Sequence, residues 1–254
     1  MSDFFGAWCD PPQDERVISH LSRLLIARDE DAGISAVSAL IPEIYATKKN
    51  LEQLAKRRGK TAVAALLGNK MPTSTTGRSG DMGEILATIY IDQVMGYETG
   101  PSRLIERDHQ EWAMRGDDAI GARWNGSGNT VELVKVEAKS RTRAGKSVIV
   151  EARRELKRND DLISPHSLTQ FAERLQQMNE PLSNAIEDLL IDNGIRAKQL
   201  THVMFLFAGN HPKEYIHEDL SNYKGKISQI TVTLRVNEHQ SFIRRSYETV
   251  LNNV

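Results

Sequence analysis

Residues 131–141 read VELVKVEAKSR, and the fold turns on this run. Side chains alternate faces along a strand, so Val131, Leu133, Lys135, Glu137 and Lys139 share one face and Val134, Val136 and Ala138 the other. Both faces begin apolar, which predicts a strand inside a sheet with a charged pair at its end. At about 3.3 Å rise per residue, Glu137 and Lys139 stand about 6.6 Å apart on the same side. Just upstream, residues 117–124 (DDAIGARW) have strand character, and residues 125–129 (NGSGN) between the two runs predict a hairpin turn. Asp118 opens the first arm of that hairpin, where it approaches Glu137. Asp117 competes for the inward position, and Asp118 is favoured because it adjoins the apolar strand residues.

Outward from this hairpin, residues 81–96 (DMGEILATIYIDQVMG) predict a helix that carries Met82, Ile85, Leu86 and Ile89 on one face. Asp81 is its expected cap. Asp81 and Glu84 also have the spacing of a capping box, so Glu84 has two candidate roles, backbone capping and cation binding. Residues 70–80 (KMPTSTTGRSG) read as a loop, dividing a helical N-terminal region, 1–75, from a core, 76–254. Within the first part, residues 14–28, 34–46 and 50–68 all read as helical. Residues 102–107 (SRLIER) read as a short strand. Beyond the hairpin, helices are expected near 148–158 and 166–177, buried strands at 201–209 and 227–236, and a terminal helix from 238. That order predicts an α/β fold with helices on the faces of a sheet.

Composition narrows the function classes. The 254 residues are 39% hydrophobic and 26% charged, with 33 Lys and Arg against 34 Asp and Glu. A net charge of −1 provides no whole-protein field for nucleic acid. Basic residues are concentrated locally. Residues 135–158 carry nine against three glutamates, and residues 48–60 carry six against Glu52. Such runs are either solvated faces or phosphate-tracking surfaces. Arg141, Arg143, Lys146, Arg153 and Arg154 follow the charged strand directly and are the candidate nucleic-acid contacts. The single cysteine, Cys9, excludes an internal disulfide and a cysteine-based zinc site. No apolar run reaches the roughly 18 residues of a membrane span, and the N-terminus lacks a secretory pattern, so a soluble cytoplasmic protein is expected. The histidines have no metalloprotease spacing, and His109, though near the hairpin in sequence, reads as an ordinary polar residue.

Glu84, Asp118 and Glu137 beside Lys139 suit a hard divalent cation, Mg²⁺ or Mn²⁺, which takes oxygen ligands and keeps waters for chemistry at phosphorus. The lysine would orient the attacking hydroxide and stabilise developing charge. Residues 140–147 (SRTRAGKS) follow a strand as a phosphate-binding loop does, but Ser140 replaces its first glycine, which counts against a nucleotide hydrolase.

Gly83-Glu84, Gly116-Asp117-Asp118 and Glu137-Ala138-Lys139 together resemble the PD-(D/E)XK nuclease superfamily. The runs GDMGEILATIYIDQ, RGDDAIGARW and VELVKVEAKSR more closely resemble the HamA family, the nuclease subunits of the Hachiman anti-phage defence system. The resemblance implies a restriction-endonuclease-like mixed sheet flanked by helices and metal-dependent cleavage of DNA. It also implies a HamB-like helicase subunit as partner. No proline precedes the hairpin aspartate, which departs from the superfamily pattern. The alternative is a non-catalytic nucleic-acid-binding or adaptor subunit that keeps the fold, with its basic region on phosphates and its acids vestigial.

Overall fold

A computed structural model of the chain describes residues 4–106, 110–111, 116–128 and 130–253. In chain order the strands are β1 (Gln13–Val17), β2 (His20–Ile26), β3 (Ala119–Trp124), β4 (Val131–Arg141), β5 (Leu200–Ala208) and β6 (Ser228–Arg235). Four helices precede β3: α1 (Glu30–Tyr45), α2 (Lys48–Arg58), α3 (Lys60–Lys70) and α4 (Thr75–Ile89). The rest are α5 (Lys146–Leu156), α6 (Pro165–Leu175), α7 (Glu180–Asp188), α8 (Lys213–Asn222) and α9 (His239–Asn253).

The strands form one six-stranded mixed sheet in the order β1-β2-β6-β5-β4-β3. Strands β2, β6, β5 and β4 run parallel, and an antiparallel strand closes each edge, β1 on β2 and β3 on β4. The fold is therefore α/β, a mixed sheet flanked by helices. Strand β4 alternates as its sequence predicts. Val134 and Val136 enter a core built with α1, α4 and α9, while Val131 and Leu133 enter a second core with α6 and α7. A third core joins Met204, Leu206 and Ala208 of β5 to α5 and α8.

Several expectations fail, each for a tertiary reason. Residues 14–28, read as a helix, instead form the β1–β2 hairpin. Its apolar residues match a helical period, but β2 finds an open parallel partner in β6, and such pairing overrides local propensity. The N-terminal region is thus not wholly helical, and it contributes two strands to the sheet. Where a short strand was expected, Arg103–Glu106 form a 3₁₀ turn. The loop at 70–80 ends early. Ser74 caps α4 by accepting from the Gly77 amide at 3.0 Å, leaving Asp81 inside the helix. Asp81 is buried and accepts a hydrogen bond from the Tyr45 hydroxyl, which lies 2.9 Å from that of Tyr247. Asp81 and Glu84 therefore form no capping box. Helices α7 and α8 were not among the expected elements.

Candidate active site

Glu84 lies midway along α4, whose approach to β4 depends on the preceding glycine. A Cβ on Gly83 would sit 3.2 Å from Ser140 Cβ, a tight contact that Ser140 would have to relieve by a few tenths of an ångström. The carboxylate of Glu84 receives a bidentate fork from Arg103, Nε to Oε1 at 2.6 Å and Nη2 to Oε2 at 2.8 Å. The same Nη2 stands 3.4 Å from Asp118 Oδ1. Asp118 precedes β3 directly, and its Oδ2 accepts from the Ala138 amide of β4 at 2.9 Å, which brings it beside Glu137. Gly116 makes this entry possible with φ +115°, a left-handed conformation that only glycine adopts readily.

The adjacent aspartates face different partners. Asp117 turns away, with Oδ1 3.3 Å from the buried Lys135 ammonium and Oδ2 accepting from the Ser164 amide. On β4, Lys139 Nζ pairs with Glu137 Oε1 at 2.7 Å and with Glu151 Oε1 of α5 at 3.0 Å. Four expected site residues, Glu84, Asp118, Glu137 and Lys139, thus collect at one end of the sheet. Glu84, Asp118 and Lys139, with Arg103 and Arg141, line an open cleft of about 800 Å³.

Crowding dominates the electrostatics. Burial, reinforced by the Glu84 charge, pushes the Asp118 carboxyl up to about 6. Burial, then the charge of Asp118, raises Glu137 to about 8. Lys139 is held above its ordinary value by Glu137 and Glu151 against the opposing effect of burial. The half-buried Glu151 carboxyl is correspondingly lowered by Lys139.

The carboxylate oxygens have the right chemistry for a hard divalent ion. Their present spacing does not match it. Among the described residues no three acidic, histidine or cysteine side chains converge on a point that would hold a metal. Arg103 stands between Glu84 and Asp118, and Lys139 stands against Glu137.

The basic run separates into unlike parts. Arg141 and Arg143 are exposed, and Arg141 lines the cleft. Arg154 is exposed beside Glu155, away from the cleft lining, and Lys146 is tied to Glu218 at 2.8 Å. Arg153 is largely buried, at the wall of a separate cavity of about 200 Å³. Its guanidinium is buried against Asp219 of α8 and Gln229 of β6, which removes it from the expected nucleic-acid contacts. His109 lies outside the described residues. Gln170 is half-buried and lines a small cavity with Glu84, Arg103 and Asp118. Arg103 and Glu151 were absent from the expected site. The segment holding Arg103 has no periodic pattern, and the role of Glu151 depends on where α5 packs.

A family model described as HamA matches residues 2–250. The chain belongs to the HamA family. One relative, "Hachiman protein HamA" from Bacillus cereus, is 23% identical over 184 residues. That alignment spans 72% of this chain and 64% of the relative. The HamA match takes in every strand of the sheet and every residue around the cleft. No helix among the described residues is long and apolar enough to cross a membrane.

Proposed function

We propose that this HamA-family chain is a metal-dependent DNA endonuclease acting in anti-phage defence, in the cytoplasm and alongside a HamB-like helicase subunit. One observation carries the reading: Glu84, Asp118, Glu137 and Lys139, from three separate elements, meet at one end of the sheet beside an open cleft. Three clustered carboxylates are costly in a folded protein unless a cation or a proton joins them. In this reading Glu84, Asp118 and Glu137 would hold Mg²⁺ or Mn²⁺. The ion would supply an activated water and compensate charge developing on the phosphodiester.

The protein's own residues have distinct tasks. Lys139, fixed between Glu137 and Glu151, presents its ammonium where an attacking water needs orienting and where negative charge grows. Ala138 orients Asp118 through its amide. Arg141, on the cleft wall, offers a charge to the incoming phosphate backbone. A second reading, a nucleic-acid-binding adaptor with vestigial acids, draws on the lack of three convergent ligands among the described residues.

Lys139→Ala separates the two readings. The enzyme reading expects plasmid cleavage in Mg²⁺ or Mn²⁺, with the helicase partner present, to fall by about 10²–10³-fold while the melting temperature barely changes. Chelation by EDTA abolishes cleavage by the parent protein. Glu137→Ala loses cleavage together with Mn²⁺ affinity. Full nicking activity in a folded Lys139→Ala protein, or cleavage indifferent to EDTA, would sink the enzyme reading.

A further inference from the structure

Arg103 occupies the position that the proposed function assigns to a metal ion. Its guanidinium makes a bidentate fork with Glu84, and Nη2 of that fork also faces Asp118. The side chains are largely shielded, at 10% exposure for Arg103 and 13% for Glu84. A cation in that position relieves the repulsion between two carboxylates, as a divalent ion would. The two compete, because the fork engages both Glu84 oxygens and a guanidinium repels a divalent cation brought to the same place. We propose that Arg103 is an internal counter-ion that closes the Glu84–Asp118 pair to divalent metal, so that the ion binds only when the guanidinium leaves.

The surroundings permit that exchange. Arg103 lines both the 800 Å³ cleft on one side and a smaller cavity with Thr88, Ser102, Gln170 and Arg174 on the other. Its side chain can therefore turn away without crossing a packed core. It projects from a single 3₁₀ turn, Arg103–Glu106, that follows Gly100 at φ +65°. The catalytic-strand pair differs. Lys139 bonds Glu137 through one ammonium contact, leaving the second carboxylate oxygen open to another partner. Arg103 is thus the specific obstacle, and Glu84 and Asp118 are the oxygens it withholds.

The inference rests on the metal-dependent reading of this site, and it is tested by metal affinity instead of cleavage. Mn²⁺ is titrated calorimetrically into the full chain without DNA, comparing the parent with Arg103→Gln and Arg103→Lys. If the open state is populated about one part in ten, Arg103→Gln binds Mn²⁺ roughly ten-fold more tightly. Arg103→Lys, cationic but unable to make the fork, falls between. It also decides the matter should the glutamine variant fail to fold. Equal or weaker Mn²⁺ affinity in a folded variant, or no binding by any of the three, overturns the latch. Tighter Mn²⁺ binding with no cleavage of DNA would keep the latch and remove the nuclease reading. Cleavage by the parent with Mn²⁺ affinity unmoved in the variants would do the reverse.

Discussion

Arg103 and Arg153 are buried alike and behave differently. Each is about 10% exposed and holds a carboxylate through a two-nitrogen fork, Glu84 in one case and Asp219 in the other. Arg153 lines a cavity of its own, about 200 Å³, but its guanidinium is fully committed. Its third nitrogen donates to Gln229, which in turn reaches His202 Nδ1 at 3.2 Å, and Tyr223 lies under the guanidinium at 5.1 Å. Every nitrogen of that guanidinium has a partner, and its charge is matched by one carboxylate, Asp219. Around Arg103 one guanidinium serves two carboxylates, with a third, Glu137, next to Asp118 and an open cleft alongside. Depth and pairing do not distinguish a structural charge from a functional one. Surplus of one sign does, because unmatched carboxylates require a proton or a cation from outside.

The largest expected effect is on stability. Arg153→Met strands Asp219 in the interior and should cost about 3–5 kcal/mol in urea unfolding. Arg103→Gln should cost less, about 1–3 kcal/mol, the scale of a lost charged hydrogen bond. The difference arises because Asp118 is already disposed to take a proton and the cleft admits water. Equal losses at the two positions would break the contrast between a charge-matched and a poised cluster.

A smaller effect concerns pH. Glu137 titrates near 8 in the fold and near 4.5 when unfolded, so the folded state holds the extra proton. Its contribution is complete below pH 4.5 and is lost as pH rises through 8. Asp118 adds the same sign over a lower window, up to about 6. The melting temperature of the metal-free protein should therefore decline by several degrees between pH 5 and 8.5, and Glu137→Gln should flatten that decline. His202 and His239 act oppositely. Burial lowers both to about 4, so their contribution is present above 6.5 and lost as pH falls through 4. A wild-type melting temperature that is level from pH 5 to 8.5 would contradict the crowded-carboxylate account.

The smallest effect concerns the basic run. Arg141→Gln should leave stability within about 0.5 kcal/mol and reduce the salt dependence of DNA binding by roughly one phosphate contact. Binding and salt slope unaltered by that change would leave Arg141 an ordinary solvated side chain, no closer to nucleic acid than Arg153.

Legibility follows the range of the interactions. Strand β4, its hairpin with β3, helices α5, α6 and α9, and strands β5 and β6 were readable because each carries its own period and turn residues. The grouping of Glu137 with Lys139 needed only alternation along one strand, and Asp118 needed only a hairpin of known hand. Residues 14–28 were not readable, since β6, which converts them to strand, lies about 200 positions away in sequence. Asp81 misled because its capping pattern is real, while α4 begins six residues earlier at Thr75.

By itself, then, the sequence determined where charge interrupts apolar alternation, and hence that Glu137 and Lys139 share a face at the end of β4. It determined this because pleat and pitch are properties of a single segment. Only the tertiary structure decided what stands between those charges. The distance from Arg103 to Glu84, the turning of Asp117 toward Lys135 and the burial of Arg153 against Asp219 are relations between segments remote in the chain. They were fixed when the helices settled on the sheet and every buried charge had to find a partner.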